Sequence, residues 1–157
     1  MRNIERGTDD NRLFLISFER CMKPLKEMGF NFTYFPPEEN SDTLILRYTG
    51  AFIIDIERDE RLDVGFYCYP LHYDNKPHSM LRIGLNALIF MLSNNKENIS
   101  HLFTSFWDPW DYVKTAELIS DKFFDYYCKI EWFMKDENLD LLYRRIKETG
   151  MEFSRSI

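Results

Sequence analysis

An α+β fold of two layers is predicted by three features of this chain of 157 residues. The N-terminal quarter carries apolar residues at helical spacing. Residues 31 to 69 alternate apolar and polar with short connections. The C-terminal third returns to helical spacing. Helix, then strands, then helices in separate runs is the order of an α+β domain rather than a βαβ one. The length fits one domain spanning residues 1–157. We therefore expect an antiparallel β-meander of about four strands, packed against an N-terminal helix and several C-terminal helices.

The elements follow in order. Residues 1–7 read as a loose arm, and Thr8, Asp9 and Asp10 offer N-cap oxygens. A helix to about Met28 would place Phe14, Phe18, Cys21, Leu25 and Met28 on one stripe, at spacings of 4, 3, 4 and 3. Pro24 should kink it or start its last turn, and Gly29 stops it. Asn31 to Phe35 reads as a strand closed by Pro36-Pro37. Thr43 to Tyr48 alternates, and Thr49-Gly50 is a candidate two-residue turn. The next strands are Ala51 to Glu57, with Phe52, Ile54 and Ile56 on one face, and Leu62 to Tyr69, with Leu62, Val64, Phe66 and Cys68. Pro70 closes them.

Met80 to Leu92 is nearly all apolar, and its length favours a buried helix from about Leu81 to Ser93. Ile99, Leu102, Phe103 and Phe106 form a short amphipathic segment. Asp108-Pro109 supplies an N-cap and an N1 proline. Val113, Ala116, Ser120, Phe123, Tyr127, Ile130 and Met134 trace a long helical stripe. A last helix near Leu139 to Glu148 carries Leu139, Leu142, Tyr143 and Ile146, with Gly150 as its stop.

Net charge is −6, from 26 acidic and 20 basic side chains. Nucleic acid is a poor partner for such a chain, because binding it needs a basic stripe. An acidic protein steers toward basic partners, although the same charge also simply keeps a small domain soluble. The N-terminus has no apolar signal segment, and the run Leu85 to Leu92 is too short to span a bilayer. Cys21, Cys68 and Cys128 are an odd, widely spaced set, which reads as buried free thiols of a cytoplasmic protein.

Catalytic and metal motifs are absent. His72, His78 and His101 stand in no zinc or metalloprotease spacing, and Cys68 with His72 has no second pair. No phosphate loop, nucleotide fingerprint or nucleophile elbow is present, so no cofactor is implied. What remains is a surface question. The hairpin FIIDIERDERLDVGFYCY carries Asp55, Glu57, Asp63, Tyr67 and Tyr69 away from its apolar face. Facing acids repel across a hairpin. Either cations from another molecule meet them, or Arg47, Arg58 and Arg61 neutralise them from within. A second candidate is FWDPWDY, Phe106 to Tyr112, where Asp108, Trp110 and Asp111 gather at a helix start. Its tryptophans serve either to close the core or to anchor an interface. Asp108 to Asp140 holds nine acids and four lysines, usual for a solvated helix face and compatible with a cationic partner.

A helix ending in MGF (Met28 to Phe30), a strand LRYTG, then FIIDIERDER and LDVGFY resemble small immunity proteins of bacterial contact-dependent growth inhibition and related polymorphic toxin systems. The resemblance implies a non-catalytic protein that binds a cognate toxin domain in the cytoplasm and blocks it by occlusion. Many such toxins are basic nucleases, which an acidic inhibitor suits. No functional residue carries over from the family; the hairpin face and the FWDPWDY stretch supply the candidate contact residues, Asp55, Glu57, Asp63, Tyr67, Asp108, Trp110 and Asp111. An intracellular adaptor or regulatory module, and a small Cys- or carboxylate-based hydrolase, are the competing readings.

Overall fold

The computed structural model describes residues 2–37, 43–59, 63–71, 81–103, 111–150 and 154–155; for 2–10, 81, 111 and 154–155 it describes the backbone alone. The α+β expectation holds. Helix α1 (Arg2–Cys21) and the short α2 (Lys23–Glu27) precede β1 (Asn31–Phe35), β2 (Leu44–Thr49), β3 (Ile53–Arg58) and β4 (Val64–Tyr69). Then come β5 (Leu81–Gly84), α3 (Leu85–Leu92), α4 (Asp111–Asp125), α5 (Tyr127–Phe133), α6 (Leu139–Glu148) and a two-residue β6 (Ser154–Arg155). The strands lie in the order β1-β2-β3-β4-β5-β6, every neighbouring pair antiparallel. The meander is thus longer than the four strands expected.

The N-terminal helix begins earlier than Thr8. Gly7 within it costs about 1 kcal/mol relative to Ala, which a helix without a proline absorbs. The break at Met22 shifts the buried stripe: Phe14, Phe18, Met22 and Leu25 are buried, while Cys21 is half-buried and Met28 is 44% exposed. Pro24 sits in the first turn of α2, where its missing N–H is harmless. Gly29, at φ +90°, reverses the chain into β1.

Between β2 and β3 the connection is three residues rather than the expected Thr49-Gly50 turn. Thr49 pairs with Ile53, and the Gly50 N–H donates to the Phe52 carbonyl over 3.0 Å. The longer loop drops Phe52 into the core against Phe30, ring centres 5.6 Å apart. Gly50 is required there, because a Cβ would lie 2.6 Å from the Phe30 ring.

The segment expected as one helix from Leu81 to Ser93 is divided. Leu81–Gly84 is strand, and the helix starts only at Leu85. Gly84, extended at φ −63° and ψ 143°, marks the switch. Ile83 and Leu85 both face the core, so an apolar run alone does not separate the two states.

The helices cover one face of the sheet. Leu44, Leu46 and Tyr48 of β2, Ile54 and Ile56 of β3, and Val64, Phe66 and Cys68 of β4 point into this layer. Helix α1 packs along α4, with Phe14 against Tyr112, ring centres 5.5 Å apart. Tyr112, not the expected Val113, carries the stripe, and Val113 is exposed. A run of rings ties sheet to helices: Phe30, Phe52, Tyr127, Phe123 and Phe66, at successive centre distances of 5.6, 5.9, 5.7 and 5.1 Å. Offset and edge-on rings at these distances add to plain area burial. Leu139, Leu142, Tyr143 and Ile146 of α6 are all buried, as their spacing predicts. Cys68 is buried, but Cys128 is exposed, against the expectation of a buried thiol.

Candidate functional site

The sheet face away from the helices carries the chemistry. Strand alternation puts Arg47, Asp55, Glu57, Tyr67, Tyr69 and Arg82 on it. Asp55 pairs in register with Arg47 on one side and Tyr67 on the other. Its carboxylate accepts two bonds from Arg47, Nε–H to Oδ1 at 2.8 Å and Nη2–H to Oδ2 at 3.0 Å. The Tyr69 hydroxyl donates to Oδ2 at 2.8 Å. Asp55 is only 2% exposed. This corrects the sequence reading of Asp55 as a contact residue: its charge is met inside the chain, by a forked guanidinium and a phenol, and is not presented to a partner.

Glu57, two residues on, lies beside Arg82 of β5 and forms an ion pair with its Nη1. Burial pushes the Glu57 carboxyl up from its ordinary pKa, and the charge and hydrogen bond of Arg82 pull it back only in part. The Arg82 guanidinium also lies 4.1 Å from the centre of the Tyr67 ring. Gly65 also lies against that ring: a Cβ there would come within 2.5 Å of Tyr67 Cε2. A strand glycine covered by an aromatic ring, and the ring covered by a cation, make one stack. Arg47 repeats the pattern, with its guanidinium 5.0 Å from the Phe35 ring.

Of the two neutralising arginines suggested beside Arg47, Arg58 points the other way. It is paired with Leu44 and Val64 on the helix-covered face, is 5% exposed, and its Nε finds no acceptor. Arg61 lies outside the described residues. The cation that sequence reading missed is Arg82. Period-two alternation in Leu81-Arg82-Ile83-Gly84 was its signal, hidden by reading the segment as helix.

Beyond Tyr67 the sheet has a gap. β5 pairs with Tyr67 and Cys68 only, so Val64 to Phe66, paired with β3 on one side, has no described strand beside it on the β5 side. The Val64 N–H is taken by the Phe103 carbonyl at 3.2 Å. The gap opens into a cleft of about 360 Å³, with Glu57, Asp59 and Asp63 among its lining and Val64, Tyr67 and Phe103 on its apolar side. Asp59 also shapes the turn, accepting the Asp63 N–H on Oδ1 at 3.0 Å. The structure therefore brings three of the predicted contact residues, Glu57, Asp63 and Tyr67, to one cleft. Asp108 and Trp110 lie outside the described residues; Asp111 opens α4, with its side chain likewise outside them.

Among the described residues no three of His, Cys, Asp and Glu converge as metal ligands. Cys68 has no solvent access, and burial raises its thiol well above the ordinary range, which disfavours the thiolate a nucleophile needs. His72 and His78 lie outside the described residues. No described helix is long and apolar enough to cross a membrane. In comparisons with known proteins the chain matches no family model, no curated protein and no solved structure.

Proposed function

We propose that this chain works by binding, as a cytoplasmic immunity protein that neutralises a basic toxin domain, a nuclease in the reading the sequence resemblance implies. The observation that carries the proposal is the cleft beside β4. It combines carboxylates from Asp59 and Asp63, beside the Arg82-paired Glu57, with apolar surface, on a chain of net charge −6. Such a surface attracts a cationic protein at long range and grips it at short range. Blocking would be steric: a complex burying about 1,600 Å² covers a substrate groove without any chemistry.

The test is co-purification from the native host, followed by titration of the captured protein at two salt concentrations. We expect a basic partner, bound one to one, whose association slows as salt rises. An acidic partner, or binding indifferent to salt, would refute the proposal.

A further inference from the structure

We propose that Arg58 and the Tyr34 hydroxyl, on the helix-covered face of the sheet, form a receptor for a carboxylate that comes from outside the chain. Register sets Tyr34 of β1 opposite Leu46, and Arg58 of β3 opposite Leu44. Both side chains therefore leave the sheet on one face, on either side of β2. They are close enough to interact: burial raises the Tyr34 phenol above its ordinary pKa, and the Arg58 charge offsets part of that rise. Arg58 is 5% exposed and its Nε–H has no acceptor. Among the described residues no acid forms an ion pair with Arg58, and none accepts from the Tyr34 hydroxyl. This face is the opposite one from Glu57 and Tyr67 of the cleft, so the site stands without the inhibitor reading.

The other face of the same sheet shows what this donor set holds. There the Arg47 guanidinium and the Tyr69 hydroxyl close on the Asp55 carboxylate, with bonds of 2.8 and 3.0 Å from Arg47 and 2.8 Å from Tyr69. Arg58 and Tyr34 bring the same two kinds of donor together with no carboxylate of the described residues between them. A guanidinium taken out of water gains most from a hydrogen-bonded anion, since a buried charge without one is costly. A carboxylate fits the pair: its planar oxygens match the arginine fork and still accept from a phenol. Its single charge balances the guanidinium, whereas a phosphate brings more charge and more acceptors than these donors satisfy. The half-buried Tyr34 keeps part of its surface in water, so the pair is reached from the phenol side.

The experiment titrates sodium acetate, and separately N-acetyl-glutamate methylamide, into the full chain at constant ionic strength. It follows the Arg58 Nε–H resonance together with the backbone amides. We expect the Nε–H signal to move downfield and saturate, with a Kd on the order of millimolar, as ligands of this size allow. Tighter binding of the glutamate analogue assigns the carboxylate to a polypeptide side chain, and tighter binding of acetate assigns it to a free acid; either supports the site. Neutral acetamide should not saturate. Arg58→Met should abolish binding, and Tyr34→Phe should weaken it about tenfold, the worth of one hydrogen bond to a charged group. Acetate against acetamide on the unaltered chain decides the matter even if a variant fails to fold. No saturation by either acid, equal binding of acetamide, or binding undiminished in the Arg58→Met chain would overturn the proposal. Shifts confined to the face of Arg47 and Asp55 would overturn it as well.

Discussion

The guanidinium of Arg82 caps the ring of Tyr67 at 4.1 Å from its centre, and the ring in turn covers the bare Cα of Gly65. The three residues come from two strands, and the stack ends on the Glu57 carboxylate. Gly65→Ala tests it. Alanine is the better strand residue by about 0.5–1 kcal/mol, but its Cβ would stand 2.5 Å from the ring. Displacing the ring costs about 1–3 kcal/mol. We expect net destabilisation, read as a fall in Tm of roughly 2–4 °C per kcal/mol for a chain of this size. An unchanged or raised Tm would mean the ring moves aside freely.

Two arginines on opposite faces of the sheet make a contrast. Arg47 completes a buried carboxylate, so Arg47→Met strands Asp55 with the Tyr69 hydroxyl as its remaining donor among the bonds described above. Breaking a buried pair from one side costs about 3 kcal/mol or more. Arg58 is itself buried, with its Nε lacking an acceptor. Arg58→Met removes that cost and keeps the volume, so it should hold stability or raise it by about 1 kcal/mol. Urea melts of both variants decide; equal losses would show that Arg58 has an anion to itself.

The contrast also marks how far the sequence could be read. Period two fixed which hairpin residues turn from the core, and α6 came out with its stripe intact because Leu139, Leu142, Tyr143 and Ile146 are strongly periodic. Asp55, Glu57, Asp63 and Tyr67 were legible as a face. Which acids the face keeps for itself was not, since that depends on register. Asp55 meets Arg47 because β2 and β3 pair with Arg47 opposite Asp55, and a slip of one residue would part them. Glu57 meets Arg82 across a separation of 25 residues, which no local pattern encodes. The gap beside Val64 was equally hidden, because it arises where β5 gives way to helix at Gly84.

Glu57 should leave a mark on the pH dependence of stability. Burial raises its carboxyl above the ordinary value in the folded chain. A raised folded pKa means the native state binds the proton more tightly than the unfolded one. Its contribution is then fully present below the unfolded pKa and is lost as pH rises through the folded pKa. Glu57→Gln removes the titration. The stability of the parent chain relative to this variant should therefore rise as pH falls from neutral into the carboxylate range. Paired urea melts across that range check the sign; a difference that falls with acidification would place the folded pKa below the ordinary value.

Charge reversal separates the cleft from the buried pair beside it. Asp55→Lys is not a test of binding, because it forces a second cation against Arg47 at a position 2% exposed, and we expect it to unfold the chain. Asp63→Lys is a test. Asp63 lies in the cleft wall and is half-buried. Its reversal should leave the melting curve within about 1 kcal/mol, as surface changes generally do. Association with a basic partner should slow by about tenfold at low salt and by much less near 1 M, where the Debye length shrinks to about 3 Å. Stopped-flow association at both ionic strengths measures this directly. A rate that Asp63→Lys leaves untouched at low salt would move the contact surface away from β4 altogether.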